Sequence, residues 1–146
     1  MRNQKRKLLN KKFDESDTFA DAGLKCHLQE EGENMFYLVI DLEMCNVPRN
    51  YRETTYKYAK ETIQIGAVLL DEDFKRIGTL TQYVQPEFGV IDHFIESLTG
   101  IRNSQLKNAP KLQEALLHML NWIGDREYKI YAWSESDRNQ ILHEMK

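Results

Sequence analysis

The sequence predicts one α/β domain in which the strands come first. Three strand-like segments follow one another between residues 36 and 84, and a helix, a fourth strand and a second helix come after them. This order of elements is typical of a layered α/β domain. The length of 146 residues is sufficient for one domain with its own hydrophobic core.

The strands are predicted from apolar runs that end at turn residues. Phe36–Ile40 is a continuous apolar run of the kind that forms a central strand buried on both faces. Thr62–Leu70 gives a second strand, and the acidic turn Asp71–Asp73 leads into a third, Lys75–Val84, which ends before Pro86. The three strands are expected to form an antiparallel meander.

The second half of the chain changes to helical periodicity. Pro110 suits the first turn of a helix and Gly124 suits its C-terminal cap. Tyr128–Trp133 predicts a fourth strand, and Ser134 can cap a last helix that begins near Glu135. The apolar residues at helical spacing within the first of these helices are Leu112, Ala115, Leu116, Met119, Leu120 and Ile123.

The first 34 residues differ in composition from the remainder. Six of the first twelve residues are Lys or Arg, acids dominate from Asp14 to Glu33, and few large apolar residues occur. Such a segment buries too little apolar surface to fold alone. We therefore expect a flexible or loosely docked, charged N-terminal extension over residues 1–34 and an ordered domain over residues 35–146.

Composition excludes several classes of protein. Cys26 and Cys45 form no metal-binding motif, and no apolar run approaches the length that crosses a bilayer. A cytoplasmic protein without a membrane partner is expected, because free cysteines suit a reducing compartment. The net charge of -3 provides no overall basic field for nucleic acid, but it does not exclude an enzyme that gathers cations around carboxylates.

Asp41 and Glu43 are the first candidates for chemistry. They are two residues apart after the first predicted strand, so the alternation of strand side chains directs both carboxylates to one side of the sheet. Adjacent carboxylates repel each other unless a cation or proton intervenes, and oxygen ligands suit Mg²⁺ or Mn²⁺. The alternative is that both acids simply face water at a strand end.

Asp137 has two interpretations. Ser134 and Asp137 have the spacing of a capping box, in which the acid accepts a hydrogen bond from a backbone N–H at the start of a helix. The spacing alone favours this role. A second role at a metal site is compatible with it, since the helix dipole stabilises a carboxylate there.

The predicted loop Pro48–Lys60 interleaves basic and aromatic residues. Such a loop can contact a single nucleic-acid strand through charge and stacking. A solvated loop is the alternative.

Four segments occur in a fixed order: Val39–Cys45, Glu61–Val68, Leu98–Ile101 and Trp133–Asp137. They resemble the first exonuclease motif, the second strand, the LTGI turn and the second exonuclease motif (W-G-x-x-D) of the DEDD superfamily of 3′→5′ exonucleases. This superfamily includes ribonuclease T, oligoribonuclease and proofreading exonucleases. The chain is most similar to the branch of histone-mRNA and sporulation-inhibitor-type exonucleases.

The resemblance implies a ribonuclease H-like fold and the removal of nucleotides from the single-stranded 3′ end of RNA or DNA. By position in the motifs, Asp41, Glu43 and Asp137 are the implied catalytic ligands of two divalent cations, Mg²⁺ or Mn²⁺. Met44 and Trp133 are the implied substrate-binding residues for the terminal base, with ordinary packing as the alternative for both. Glu61 is not included among the ligands.

The third motif of this superfamily, H-x-x-x-x-D or Y-x-x-x-D, does not follow Asp137. His143 is the one histidine there, and it belongs to the same predicted helix. We therefore expect a domain truncated at its C-terminus, lacking the last strand and helix, with weak or no activity. A non-catalytic nuclease-like module that binds nucleic acid or protein, or a gene fragment, remains open, as does the choice between RNA and DNA.

Overall fold

A computed structural model describes residues 17–18, 35–54 and 56–145 of the protein. Helices and strands alternate along the chain as expected for an α/β domain. The strands of this part of the chain are β1 (Asp17–Thr18), β2 (Phe36–Asn46), β3 (Lys60–Leu70), β4 (Arg76–Tyr83) and β5 (Tyr128–Ala132). The helices are α1 (Arg49–Thr54), α2 (His93–Thr99), α3 (Asn103–Leu106), α4 (Leu112–Ile123) and α5 (Glu135–Glu144).

The strands form one mixed sheet in the order β1-β5-β2-β3-β4. β2, β3 and β4 pair antiparallel, which confirms the predicted meander, and β5 pairs parallel to β2. The prediction that the first strand ends before Asp41 was wrong: β2 runs on to Asn46, because β3 pairs with it as far as Lys60. Asp41 and Glu43 therefore lie within a strand.

The register of β2 against β3 shifts directly after Glu43. Glu43 lies opposite Gln64, but Met44 lies opposite Thr62, so that Ile63 has no partner residue in β2. A bulge of this kind bends the strand and redirects the side chains that follow it. It separates the acidic part of β2 from the part that ends at Asn46.

The main core lies between one face of the sheet and the helices α4 and α5. Burial of each large side chain there contributes about 1.5–3 kcal/mol to the free energy of unfolding. The predicted helix is present as α4, but it begins at Leu112 after the N-cap residue Lys111, so Pro110 precedes its first turn. As predicted, Gly124 caps its end, and its backbone N–H donates to the carbonyl of Leu120. Fully buried members of this core include Leu38, Ile40, Ile65, Leu116, Met119, Ile123 and Ile141.

A second, smaller core covers the end of β2 beyond the bulge. Cys45 and Ile63 pack there against α2 and α3, which contribute Ile95 and Leu106. Neither helix was predicted from the sequence, and the residues of α1 were expected to form a loop. Helices of seven, four and six residues are too short to show a helical repeat of apolar positions.

The edge of β5 that faces away from β2 pairs with β1. Asp17 and Thr18 lie parallel to β5, opposite Tyr131 and Ala132. Two residues of the predicted N-terminal extension therefore belong to the sheet, and the rest of residues 1–34 lies outside the described ranges. In the part of the chain that the structure describes, no helix has the length and apolar character needed to span a bilayer.

Candidate active site

The site is built where β2 extends beyond β5. Ile40 is the last residue of β2 with a partner in β5, namely Ala132. The N–H of Phe36 donates to the carbonyl of Glu127 at 2.9 Å, so the even-numbered N–H groups of β2 point toward β5. The N–H of Leu42 consequently points past the end of β5.

The carboxylate of Asp137, in the first turn of α5, accepts a hydrogen bond from this N–H of Leu42. The short loop through Ser134 that follows β5 brings the start of α5 to this gap. Asp137 is 5% exposed, so the bond is shielded from water. Asp137 thereby lies beside the strand segment that carries Asp41 and Glu43.

The three carboxylates interact electrostatically. The pKa of Glu43 is raised by partial burial and by the negative charges of Asp41 and Asp137. Burial and the charge of Asp41 also raise the pKa of Asp137, whereas hydrogen bonds from backbone N–H groups oppose that rise. Asp41 is exposed and Glu43 half-buried while Leu42 between them is buried, as the predicted same-face geometry requires.

Asp137 also has the capping role that its spacing predicts. Ser134 is the extended N-cap residue of α5, and its Oγ accepts a hydrogen bond from the N–H of Ser136 at 3.2 Å. In return, the carboxylate of Asp137 accepts from the N–H of Ser134. The capping role is compatible with the predicted role of Asp137 at a metal site, since one carboxylate can accept several hydrogen bonds.

The donor chemistry of the site fits a hard divalent cation. Asp41, Glu43 and Asp137 offer only oxygen atoms, and no ion pair between described residues involves any of them. Within the described ranges, however, no group of three or more His, Cys, Asp or Glu side chains is arranged to hold a metal ion. Asp137 interacts with the backbone N–H groups of Ser134 and Leu42 and with its own instead, so the role of the three acids as ligands stays a prediction.

A family model described as exonuclease, of the RNase T type, matches residues 38–146, a range that includes all three acids. The chain belongs to this exonuclease family. The DEDD superfamily expected from the four motifs is thereby confirmed. A search of curated protein sequences gave no significant match.

Solved structures confirm the ribonuclease H-like α/β fold of the exonuclease domain. A full-length 3′-exonuclease is 22% identical with a TM-score of 0.57, over 74% of this chain and 37% of its own. A 3′-exonuclease that recognises the 3′ end of a histone mRNA stem-loop is 23% identical, with a TM-score of 0.55 over 89% and 42%. E. coli exonuclease I in complex with a dT13 oligonucleotide is 15% identical, with a TM-score of 0.52 over 73% and 22%. The chain thus spans about two fifths of the length of the first two structures.

The two residues expected to contact the terminal base have different environments in this exonuclease domain. Met44 is half-buried and packs against the main core. Trp133 directly follows β5 and is 84% exposed. The packing alternative therefore fits Met44, whereas for Trp133 it was wrong.

Glu61 supports a loop of the exonuclease domain. It is 4% exposed, and its carboxylate accepts hydrogen bonds from the N–H groups of Glu87 at 2.9 Å, Phe88 at 2.8 Å and also Gly89. Three backbone donors account for this buried negative charge. This is consistent with leaving Glu61 out of the ligand set.

The aromatic residues of the segment Pro48–Lys60 pack against other rings. Tyr51 and Tyr56 both contact Phe88, with ring centroids 5.4 and 5.5 Å apart, and Tyr58 lies flat on His143 at 4.4 Å. The rings thus tie this segment to the loop after β4 and to the end of α5. Its cationic residues Arg49, Lys57 and Lys60 are exposed beside these rings.

Two further polar residues of α5 were not predicted from the sequence to have a role. Gln140 is buried, and Glu144 is half-buried with its carboxylate bonded to the start of β3. The available signal was their spacing from Asp137, by three and seven residues, which places all three on one face of a helix.

Proposed function

We propose that this exonuclease domain removes nucleotides from the single-stranded 3′ end of RNA or DNA, with Asp41, Glu43 and Asp137 as its metal ligands. The observation that carries the proposal is the approach of Asp137 to Leu42, because it joins an acid of α5 to the acid pair of β2. Two structural neighbours, a 3′-exonuclease that recognises the 3′ end of a histone mRNA stem-loop and E. coli exonuclease I in complex with a dT13 oligonucleotide, support a nucleic-acid partner.

A hydrolase of this kind acts on a negatively charged phosphodiester, which three carboxylates alone repel. When bound, two divalent cations, Mg²⁺ or Mn²⁺, would supply an activated water and would neutralise the charge that develops on the leaving oxygen. Asp41 and Glu43, on the open side of the sheet, would hold the cations, and Asp137 would contribute an oxygen from α5. The mutual repulsion of the acids favours cation binding at this position.

Trp133 is suited to hold the terminal base. Its exposed indole follows β5 at the edge where the acids lie, and base stacking on an aromatic ring contributes about 1–3 kcal/mol without a strong preference for sequence. Met44, directly after Glu43 in β2, packs against the main core instead. The proposed contact for the base is therefore the indole of Trp133.

We propose further that the 146-residue chain removes nucleotides slowly. Beyond Asp137 the sequence has no H-x-x-x-x-D pattern. His143 stacks on Tyr58, and Glu144 accepts three hydrogen bonds. The loss of a general base typically costs about 10²–10⁴ in rate.

The test is digestion of 5′-fluorescent, single-stranded RNA and DNA oligonucleotides in the presence of Mn²⁺. We expect a slow ladder of products shortened one nucleotide at a time from the 3′ end, and no products with EDTA or with Asp41→Asn. Cleavage by Asp41→Asn at the rate of the unchanged protein would contradict the proposed site. Internal cleavage would contradict the exonuclease direction.

The absence of a ready three-residue metal cluster among the described residues favours a second candidate, a non-catalytic module that binds nucleic acid. Fluorescence anisotropy in EDTA separates the two. A binding module retains the oligonucleotide tightly without any divalent cation and yields no products with one. The exonuclease binds the 3′ end more tightly when Ca²⁺ or Mn²⁺ is added, and Asp41→Asn removes that gain.

A further inference from the structure

The face of α5 that packs on the sheet is mostly polar. Asp137, Gln140, Ile141 and Glu144 have the spacing that places them along one side of a helix, and the first three are buried. Most helices of globular proteins present an apolar stripe to the sheet beneath them. Here the apolar contacts come from Ile141 and from Met145, the residue that caps the end of α5.

Each polar side chain of this stripe bonds to the backbone of a strand. Oε1 of Glu144 accepts two hydrogen bonds from Thr62, one from its backbone N–H at 2.9 Å and one from its hydroxyl Oγ1 at 2.6 Å. It accepts a third from Nε2 of Gln140 at 2.7 Å. Nε2 of Gln140 also donates to the carbonyl of Lys60 at 2.8 Å. Thr62 is fully buried, so these bonds are shielded from water.

The helix is therefore attached to the sheet at two separated points. Asp137 is bonded to β2 at Leu42, and Glu144, seven residues later and about 10 Å along the helix axis, is bonded to β3 at Thr62. Apolar packing is non-directional, whereas hydrogen bonds of 2.6–2.9 Å fix both distance and angle. The hydrogen bonds of Glu144 and the bond from Leu42 to Asp137 together define the rotation and the position of α5 on the sheet.

We infer that Glu144, through Thr62 and Gln140, is a positioning residue that holds α5 where Asp137 meets Leu42 and the acid pair of β2. The part of this inference that concerns metal binding rests on the proposed function. The competing explanation is that Glu144 stabilises the domain without any effect on the position of Asp137.

The experiment compares three variants at a temperature at which circular dichroism shows all of them folded. Glu144→Ala removes the acceptor, and Glu144→Gln keeps an acceptor oxygen of the same size. Ile141→Val is the matched control, because it weakens the packing of the same helix without touching a polar attachment. The Kd for Mn²⁺ is measured by titration calorimetry, and exchange of the Leu42 amide hydrogen is measured by NMR in EDTA.

We expect Glu144→Ala to weaken Mn²⁺ binding by about 10-fold, as is common when a residue that orients a metal ligand is removed. It should also accelerate exchange of the Leu42 amide relative to its neighbours in β2. Glu144→Gln should restore both values to within about 2-fold, and Ile141→Val should leave both near those of the unchanged protein. If Glu144→Ala does not fold, Thr62→Val removes the hydroxyl donor alone and is expected to shift both measurements in the same direction.

The inference is overturned if Glu144→Ala leaves Leu42 exchange unchanged, or if Ile141→Val accelerates it equally. Failure of the proposed function has a different signature. In that case the unchanged protein does not bind Mn²⁺, or Asp41→Asn binds it equally well, while Leu42 exchange in EDTA still decides whether Glu144 positions Asp137.

Discussion

The carboxylate of Asp137 accepts a hydrogen bond from the backbone N–H of Leu42, the residue that separates Asp41 from Glu43. This bond exists because β5 ends at Ala132 and leaves the next N–H of β2 without a strand partner on that side. The same carboxylate caps α5 through Ser134. The N–H of Leu42 in the sheet and the N–H of Ser134 at the helix start both need an acceptor. Asp137 serves both and thus becomes a third acid beside Asp41 and Glu43.

Replacement of Asp137 should separate its structural role from its charge. Asp137→Asn keeps an acceptor oxygen and removes the repulsion from Asp41, so its free energy of unfolding in EDTA should remain near that of the unchanged protein. Asp137→Ala leaves the buried N–H groups of Leu42 and Ser134 unpaired, which should lower it by about 1–3 kcal/mol. Urea denaturation measures both, and an equal loss in the two variants would contradict this role.

Divalent cations should stabilise the domain through the acid cluster. A ligand that binds only the folded state at 100 times its Kd adds about 2.7 kcal/mol to the free energy of unfolding, so Mn²⁺ should raise the Tm. Asp41→Asn should lose most of this increase. In EDTA, the same variant should be slightly more stable than the unchanged protein, because Glu43 and Asp137 then lose a repelling neighbour. Differential scanning fluorimetry measures the Tm of the unchanged protein and of Asp41→Asn, each in Mn²⁺ and in EDTA.

The matched control for Asp41→Asn is Glu72→Gln, at an exposed acid in the turn between β3 and β4. This variant also removes one negative charge, but at a position beyond the end of β3, away from the three acids. The Mn²⁺ response of Glu72→Gln should equal that of the unchanged protein. An equal loss of response in both variants would mean that the cations bind through overall charge.

The long elements could be predicted from the sequence because their own residues determine them. The apolar run Phe36–Ile40 and the helical spacing that ends at Gly124 reappear as β2 and α4. The length of β2 was underestimated, because Asp41 and Glu43 occupy its open face and look like the residues of a strand end. Alternation across buried Leu42 was the signal that the strand continues.

The contacts that attach α5 could not be predicted in the same way. Glu144 bonds to a residue 82 positions away, and its partner is partly a backbone N–H, which any residue provides. Polar residues on a helix are ordinarily interpreted as its solvated side. Only the tertiary structure shows that Gln140 and Glu144 face the sheet, whereas the motif containing Asp137 could be identified from local sequence.

The stability contribution of Glu144 should depend on pH. Burial raises its pKa above the ordinary value of 4.5, although hydrogen bonds from Thr62 and Gln140 oppose the rise. The folded protein therefore binds a proton more readily than the unfolded chain, so this contribution is present below about pH 4.5 and is lost as the pH rises through the raised pKa. Glu144→Gln has no such titration.

The measurement is the free energy of unfolding of the unchanged protein minus that of Glu144→Gln, obtained by urea denaturation from pH 4 upward. This difference should become less favourable to the unchanged protein as the pH rises. Because both proteins share every other titrating group, the subtraction removes the remaining pH dependence. A difference that is constant with pH, or that grows with pH, would contradict the raised pKa of Glu144.

Gly89 should tolerate no side chain, although its backbone conformation permits one. A Cβ at this position would overlap the sulfur of Cys45 and lie 3.0 Å from Oε2 of Glu61. Neither neighbour can yield easily: Cys45 is fully buried, and Glu61 is bonded to the N–H groups of Glu87 and Phe88. Gly89→Ala should therefore lower the free energy of unfolding by about 1–3 kcal/mol.

Gly66→Ala is the control for Gly89→Ala. A Cβ at Gly66 would meet only the carbonyl oxygen of Asp41, at 3.6 Å, so the free energy of unfolding should change by no more than about 0.5 kcal/mol. Adding Cys45→Ala removes the sulfur, so the double variant should lose less than the sum of the single losses, by at least about 0.5 kcal/mol. Urea denaturation of the four variants gives these values, and strict additivity would show that the loop moves away from Cys45 without resistance.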